Sequence, residues 1–186
     1  KFPEAFRDRA GGLQWWNVRG ATHRARGGRN TNKHEVEAVT KLLQGLVATV
    51  LEAGWSDCQI GVVTPFTPQK GLLAQEIDEM AARYQWPAGT VRVGTVHTYQ
   101  GDERDFMILS PVVSRGAWPG TVRWLSSNGN LINVALTRAR LGLFIVGDLE
   151  ACRQAADYLK RLAEYVQERN AVVHNWRQLP IFEADV

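Results

Sequence analysis

The sequence has few cysteines and no long hydrophobic run. Its two cysteines, Cys58 and Cys152, show no metal-binding or redox spacing. Cys58 opens a strand-like run, so we interpret it as a small core residue. Sparse cysteine usage is typical of a reducing compartment. No apolar run approaches the roughly 20 residues of a membrane span, and no secretory signal is visible at the start. We therefore expect an intracellular, cytoplasmic protein without membrane contact.

The sequence also lacks the phosphate-binding loop G-x-x-x-x-G-K-[S/T]. An ATPase of the P-loop class needs this loop to hold the nucleotide and an acid to hold Mg²⁺. Neither can be assigned here, which argues against ATP hydrolysis by this chain alone through P-loop chemistry. The acids Asp102, Glu103 and Asp105 cluster in the sequence. We predict no metal site there, because no His or further acid completes a ligand set.

The composition indicates a single domain spanning residues 1–186. The hydrophobic share of 45% and the charged share of 22% are ordinary for a globular protein. Because the chain starts with Lys1 rather than methionine, we expect it to be part of a longer protein. The net charge of +3 is too small to establish nucleic-acid binding by itself. A basic, Gly-rich segment at 19–33 is suited to phosphate contact, and a solvated surface loop explains it equally well.

Hydrophobic periodicity predicts alternating strands and helices. The predicted strands cover 13–18, 59–63, 91–93, 106–110, 143–146 and 172–173, and the predicted helices cover 32–53, 69–84, 130–139 and 149–169. Thr31 or Asn32 is suited to cap the first helix, with Glu35 in its first turn. The Gly- and Ser-rich segment 114–129 is predicted to be a long loop. Short apolar strands alternating with helices imply a mostly parallel sheet covered on both faces.

Polar segments follow or precede several of these strands. One runs T-V-H-T-Y-Q-G-D-E from Thr95 to Glu103, and another runs N-V-A-L-T-R-A-R from Asn133 to Arg140. The ends of buried strands are where α/β folds place their chemistry. Hydroxyls and backbone N–H groups at a strand end suit phosphate oxygens. Two plainer interpretations stay open: a structural histidine for His97, and a helix tip that merely holds neighbouring carboxylates for Arg138.

These two segments resemble motifs V and VI of superfamily 1 helicases, in the form of the Upf1-like (DNA2/NAM7-type) group. The sequence Thr64-Pro65-Phe66 resembles motif IV of the same family. The resemblance covers roughly residues 12–148. It implies the second, C-terminal RecA-like motor domain, with a three-layer α/β fold of the P-loop-NTPase type, a mostly parallel sheet and no P-loop of its own.

The resemblance implies a set of nucleotide contacts. Arg138 matches the motif VI arginine, which stabilises charge on the transferring phosphoryl group and is therefore the expected catalytic residue. Arg140 is expected to support it or to contact phosphate. Gln100, Gly101 and Glu103 match the Gln-Gly-x-Glu pattern, in which the acid accepts hydrogen bonds from the nucleotide sugar. Relatives also carry a Gln-Tyr/Phe-Arg-Met segment that is missing here, so we expect this chain alone to bind ATP poorly and to be inactive.

The resemblance also implies contacts to single-stranded nucleic acid. The expected contact residues are those of motifs IV and V, namely Thr64, Pro65, Phe66, Thr95, His97 and Thr98. Phe66 has the chemistry to stack on a base, although core or rim packing is the commoner role of a phenylalanine. Asn32-x-x-Glu35 resembles the family's Asn-x-x-Glu helix start, which we interpret as a cap.

The function implied is that of the C-terminal motor domain of an ATP-dependent DNA or RNA helicase or translocase, with 5′ to 3′ polarity by resemblance. ATP and Mg²⁺ are expected cofactors, with Mg²⁺ held by the N-terminal RecA-like domain of the same polypeptide. That domain and single-stranded nucleic acid are the expected partners. The alternative is a nucleic-acid- or protein-binding module of a degenerate helicase-like ATPase. The choice between DNA and RNA stays open, because contacts to the phosphate backbone do not distinguish the two unless they read the 2′-OH.

Overall fold

Short apolar runs separated by helices pair in parallel, and together they form a six-stranded sheet. A computed structural model of the chain describes residues 12–25, 29–99, 101–127, 129–155 and 157–179. The strands are β1 (Gly12–Asn17), β2 (His23–Ala25), β3 (Arg29–Thr31), β4 (Ile60–Val63), β5 (Val91–Gly94), β6 (Arg104–Leu109), β7 (Ala139–Gly147) and β8 (Val172–Val173). The large sheet has the order β5-β4-β6-β7-β1-β8, and every pairing in it is parallel.

Helices cover both faces of this sheet. They are α1 (Lys33–Glu52), α2 (Thr67–Arg83), α3 (Pro119–Ser127), α4 (Gly129–Arg138), α5 (Leu149–Gln154) and α6 (Asp157–Glu168). Short 3₁₀ helices span Val96–Tyr99 and Trp176–Gln178. This arrangement confirms the predicted three-layer α/β class with a parallel sheet. No helix within the described ranges is both long and apolar enough to cross a membrane.

The alternation of side chains along each strand creates two cores. Trp16, Ile60 and Phe106 point into the core beneath α1 and α2. Their strand neighbours, such as Trp15 and Met107, point into the core beneath α3 to α6. Adjacent strand residues face opposite sides, so strands buried on both faces need near-continuous apolar runs.

Helix α1 forms as its periodicity predicts. The residues at helical spacing are all buried against the first core, namely Val36, Val39, Leu43, Leu46, Val47 and Val50. Asn32 is the N-cap, and its side chain accepts hydrogen bonds from the backbone N–H groups of His34 and Glu35. The cap satisfies donors that have no partner within the helix. Cys58 is a core residue, as predicted, with only 2% of its surface exposed.

The predicted loop at 114–129 is wrong, because helix α3 occupies much of it. Pro119 begins this helix, a position where the missing N–H of proline costs nothing. Leu125 is fully buried in the second core. The Trp118 ring lies over Gly120, where an added Cβ would approach it to 2.7 Å. Packing of a few apolar side chains thus overrides a composition that is typical of loops.

The single helix predicted at 149–169 is also wrong. It is divided into α5 and α6, because Ala155 adopts an extended conformation with φ −68° and ψ 166°. Alanine favours helices, but Ala155 is buried in the second core and its burial outweighs that preference. Within the predicted basic loop, β2 and β3 pair antiparallel, while residues 26–28 of that loop lie outside the described residues.

Candidate functional site

The register of β6 and β7 brings the two predicted nucleotide segments together. Arg104, the first residue of β6, pairs with Ala139, the first residue of β7. The residues just before them, Glu103 and Arg138, therefore lie side by side at the end of the sheet where the parallel strands begin. We call this end the amino edge. It combines the ends of motif V and motif VI, which are separated in sequence by a strand and two helices.

Arg140 is tied to two acids at the amino edge. Its Nε donates to Glu103 Oε2 at 3.2 Å, and its Nη1 lies 3.8 Å from Asp105 Oδ1. The Arg140 and Glu103 side chains are about half exposed, at 53% and 52%. Asp105 also accepts a hydrogen bond from the Gln59 backbone N–H at 2.8 Å. The predicted supporting arginine is thus held in place by its neighbours.

Arg138 differs from Arg140. It is the last residue of α4 and half-buried, and its Nε atom is buried without a hydrogen-bond partner among the described residues. The residue before it, Thr137, donates from its Oγ1 to the carbonyl of Asn133, one turn earlier in the helix, at 2.7 Å. An unpaired buried guanidinium nitrogen costs free energy, and Arg104 Nε at the same edge is in the same state. Because the Arg138 Nε atom is buried, an anionic group at the amino edge would reach it only after the side chain moves.

A second group of charges lies beside this pair. Asp102 Oδ2 accepts from Arg104 Nη2 at 2.6 Å and from Arg92 Nη1 at 2.9 Å. Gly101 has φ +80°, which glycine adopts without strain, and this lets the chain turn into β6. Gln100 lies outside the described residues. Apart from Gln100, the predicted nucleotide residues all lie at the amino edge.

The predicted nucleic-acid residues lie where the strands end, at the carboxyl edge. The Thr64 N–H donates to the Gly94 carbonyl at 3.1 Å, and the Ser110 N–H donates to the Val63 carbonyl at 3.0 Å. The ends of β4, β5 and β6 are thereby joined. Thr64 is fully buried, and its hydroxyl has no partner within the part of the chain that the structure describes. A contact between the Thr64 hydroxyl and single-stranded nucleic acid therefore requires this hydroxyl to become accessible.

Phe66 contacts Trp124, which lies in the segment that was predicted to be a loop. Its ring centroid lies 6.2 Å from that of Trp124, at an angle of 46°. Trp124 belongs to α3 and is 48% exposed, and Phe66 is partly exposed. The two rings together present an aromatic surface at the carboxyl edge.

A tight turn holds the motif V threonines. Thr98 N–H donates to the Thr95 carbonyl at 2.9 Å, and Thr95 N–H donates to Thr98 Oγ1 at 3.1 Å. Gly94 allows this closeness, because a Cβ there would approach the Thr98 side chain to 2.5 Å. His97 is exposed on the same turn. The side chains of Thr95, His97 and Thr98 all remain at least partly accessible to solvent.

A buried polar network underlies the carboxyl edge. We call it the Glu35 network, and it comprises Thr22, Asn32, Glu35, Gln69, Ser110 and Ser114 with the backbone of Val112. Burial raises the pKa of Glu35 to about 8, against the opposing effect of its hydrogen bonds to Ser110, Val112 and Asn32. The predicted cap at Asn32 and Glu35 is therefore part of a larger structure. The sequence signal was a polar Asn-x-x-Glu start to an otherwise apolar helix.

The two sets of predicted residues lie on opposite edges of the sheet. Strand β6 joins the edges, and its six residues span about 17 Å. The Val96–Tyr99 helix and the turn after it carry the chain from the carboxyl edge back to the amino edge. No group of three metal-ligating side chains occurs in the described ranges. The molecule thus separates an arginine-rich edge from an edge with hydroxyls and aromatic rings.

Comparisons with known proteins identify the class. A family model described as "AAA domain" matches residues 2–150. The mouse 5'-3' DNA helicase ZGRF1 is 32% identical over 154 residues, 80% of this chain and 8% of that protein. The regulator of nonsense transcripts 1 homolog of Neurospora crassa is 32% identical over 134 residues, 72% of this chain and 12% of that protein. The mouse DNA replication ATP-dependent helicase/nuclease DNA2 is 32% identical over 114 residues, 61% of this chain and 10% of that protein.

The parallel sheet, its two helical layers and the family match define a RecA-like AAA domain. The chain belongs to the Upf1-like group of superfamily 1 helicases. It spans about a tenth of the length of each of these three curated relatives. This confirms the predicted resemblance to the Upf1-like helicase family.

Proposed function

We propose that this chain is the second RecA-like motor domain of an ATP-dependent helicase or translocase. Its amino edge faces the nucleotide, and its carboxyl edge contacts the backbone of single-stranded DNA or RNA. The observation that carries the proposal is the position of Arg138. It ends α4 at the amino edge, beside the acid–arginine pair formed by Glu103 and Arg140.

The proposed roles follow from this geometry. A phosphoryl group leaving ATP carries negative charge, and a fixed guanidinium next to it is worth about 10³ to 10⁵ in rate. Arg138 supplies that group, Glu103 accepts from the nucleotide sugar, and Arg140 orients Glu103. Gln100 and Gly101 complete the proposed nucleotide contacts. ATP and Mg²⁺ are held by an N-terminal RecA-like domain of the same polypeptide, which carries the phosphate loop that is absent here.

The proposed strand contacts lie at the carboxyl edge. Thr95, His97 and Thr98 hold phosphates, and Thr64 joins them once its hydroxyl becomes accessible. Pro65 has no N–H to donate and contacts the nucleic acid through its ring, while Phe66, with Trp124 beside it, stacks on a base. Phosphate contacts fix position without reading sequence, as a motor that moves along a strand requires. The polarity proposed is 5′ to 3′, which the name of the mouse relative ZGRF1 supports.

The test is ATP hydrolysis by the full-length protein, with and without single-stranded DNA or RNA. We expect the strand to stimulate turnover and Arg138→Ala to lower it about a hundredfold or more. Arg83→Ala, which removes an exposed arginine from the last turn of α2, is the matched control and should match wild type. Absence of stimulated turnover, or an active Arg138→Ala protein, would instead favour a binding module of a degenerate ATPase.

A further inference from the structure

Glu35 presents a carboxyl group to three hydrogen-bonding partners in the interior of the protein. Its Oε1 accepts from Asn32 Nδ2 at 3.1 Å. Its Oε2 accepts from Ser110 Oγ at 2.6 Å and from the Val112 N–H at 2.9 Å. The side chain is fully buried. Two of these partners lie more than 70 positions away in sequence, so the carboxylate joins the start of α1 to the segment that follows β6.

Val112 has a backbone conformation that is unfavourable for its type. Its φ is +58°, and a β-branched residue in this region is a genuine outlier whose backbone is strained. Its N–H donates to Glu35, and its carbonyl accepts from Thr22 Oγ1 at 3.1 Å. Both backbone groups of the strained residue are therefore held by buried side chains from other segments.

The same network holds the rest of segment 110–115. Ser114 Oγ accepts from Asn32 Nδ2 at 3.1 Å and lies 3.0 Å from Thr22 Oγ1. The Thr22 N–H donates to the Arg115 carbonyl at 2.9 Å. Segment 110–115 begins beside Thr64 at the carboxyl edge and leads into α3. Segment 110–115 therefore connects the Glu35 network to α3, the helix that carries Trp124.

We propose that Glu35 is a positioning residue, which holds segment 110–115 in its strained conformation and thereby sets the affinity of the carboxyl edge for single-stranded nucleic acid. The inference rests on the proposed function of that edge. Glu35 itself does not touch the strand, because it is fully buried.

The chemistry of the site requires a carboxyl group. Asn32 cannot turn its amide around, because its Oδ1 accepts from the backbone N–H groups of His34 and Glu35 at 3.1 and 3.3 Å. Its NH₂ group therefore points at Glu35, and the Val112 N–H points at the other carboxylate oxygen. Glutamine at position 35 would place its own NH₂ group against one of these donors. Glu35→Gln thus keeps the size of the side chain and breaks the network.

The experiment measures the Kd of a fluorescently labelled single-stranded oligonucleotide for the full-length protein, by fluorescence anisotropy. We expect Glu35→Gln to raise the Kd about tenfold, with no change in the KM for ATP. Glu37→Gln, which changes an exposed acid on the same helix, should bind like wild type. Thr22→Val removes a hydroxyl that holds Val112 without touching the carboxylate. It should raise the Kd by a smaller factor, and it replaces Glu35→Gln if circular dichroism shows that protein to be unfolded.

A rescue separates positioning from general destabilisation. Glycine adopts positive φ without strain, so Val112→Gly should restore most of the affinity that Glu35→Gln or Thr22→Val loses. A merely structural role for Glu35 would give additive effects instead. If Glu35→Gln and Thr22→Val both bind with wild-type affinity, or if adding Val112→Gly restores no affinity to them, the role of Glu35 is refuted. The proposed function of the carboxyl edge would not be affected by that result. If the wild-type protein binds no single strand, the proposed function fails and the inference fails with it.

Discussion

The two edges of the sheet use polar residues in opposite ways. At the amino edge, charged side chains pair at the surface, as Arg140 and Glu103 do with about half of each side chain exposed. At the carboxyl edge, the Glu35 network is almost entirely buried. Exposed ion pairs contribute about 0–1 kcal/mol each. An unsatisfied buried donor or acceptor costs about 1–3 kcal/mol.

This difference separates two tasks. A surface ion pair can open and re-form at little cost, which suits an edge that must accept and release an anionic ligand. A buried network cannot exchange partners without leaving a polar group unpaired, so it fixes the shape of the segments around it. The surface ion pairs of the amino edge and the buried Glu35 network of the carboxyl edge are therefore expected to respond differently to mutation, pH and salt.

The largest expected effect concerns the protonation of Glu35. Burial raises its pKa from 4.5 to about 8, and the charge of Asp148 contributes in the same direction. Between these values the folded protein binds more protons than the unfolded chain, so the free energy of unfolding falls as pH rises. From pH 5 to pH 8 we expect Glu35 to contribute a loss of about 3 kcal/mol. Urea denaturation of wild type and Glu35→Gln at both pH values measures the difference.

The matched control for this titration is Glu37→Gln, whose acid is exposed on the same helix. It should keep the wild-type dependence on pH. Parallel pH dependence of wild type and Glu35→Gln would mean that Glu35 stays charged in its network, and that the buried edge tolerates charge as the exposed edge does.

The next effect compares the two arginines of the amino edge. Lysine keeps the charge but lacks the planar fork of donors in a guanidinium. Arg138→Lys is expected to lower strand-stimulated turnover about a hundredfold. Arg140→Lys should lower it only about threefold, because an ammonium group can still pair with Glu103. Steady-state ATP hydrolysis by the full-length protein measures both. Equal losses in the two variants would contradict the distinction between a catalytic and a supporting arginine.

The fold could be predicted where the pattern of one segment decides its structure. The apolar face of α1 and the buried strands β4 and β6 could be predicted from the hydrophobic pattern within each segment. The failures came where contacts between distant segments decide. Burial of Leu125 stabilises α3 within a Gly- and Ser-rich segment, and burial of Ala155 ends α5 in a sequence of good helix formers.

The site could be predicted in part for the same reason. Glu103 and Arg138 could be predicted as nucleotide contacts because their local sequences resemble motifs V and VI, but only the structure places both residues at the amino edge. Glu35 could be interpreted only as part of a cap, because its partners Ser110 and Val112 are brought to it by the sheet. Nothing near Val112 in the sequence indicates a positive φ, since the residue is β-branched and its conformation depends on contacts with Glu35 and Thr22.

A smaller effect is expected from the aromatic surface at the carboxyl edge. Stacking of one base on an aromatic ring is worth about 1–3 kcal/mol. Phe66→Ala should therefore raise the Kd for single-stranded nucleic acid about tenfold in an anisotropy titration. Tyr84→Ala is the matched control, because Tyr84 is also exposed and stacks on another aromatic residue, Trp86. An unchanged Kd for Phe66→Ala would leave the carboxyl edge with phosphate contacts only.

The smallest effect tests whether ion pairs at the amino edge are as weak as their exposure implies. Arg92 is 51% exposed and shares Asp102 with Arg104, whose side chain is only 10% exposed. Removing Arg92 leaves the less exposed pair intact, so Arg92→Gln should lower the free energy of unfolding by less than about 1 kcal/mol. High salt should abolish the difference from wild type, because it screens exposed charges. A cost above about 2 kcal/mol that persists in high salt exceeds what an exposed pair contributes. Such a result would mean that the ion pairs of the amino edge also stabilise the fold. It would contradict the distinction between exchangeable ion pairs at the amino edge and a shape-fixing network at the carboxyl edge.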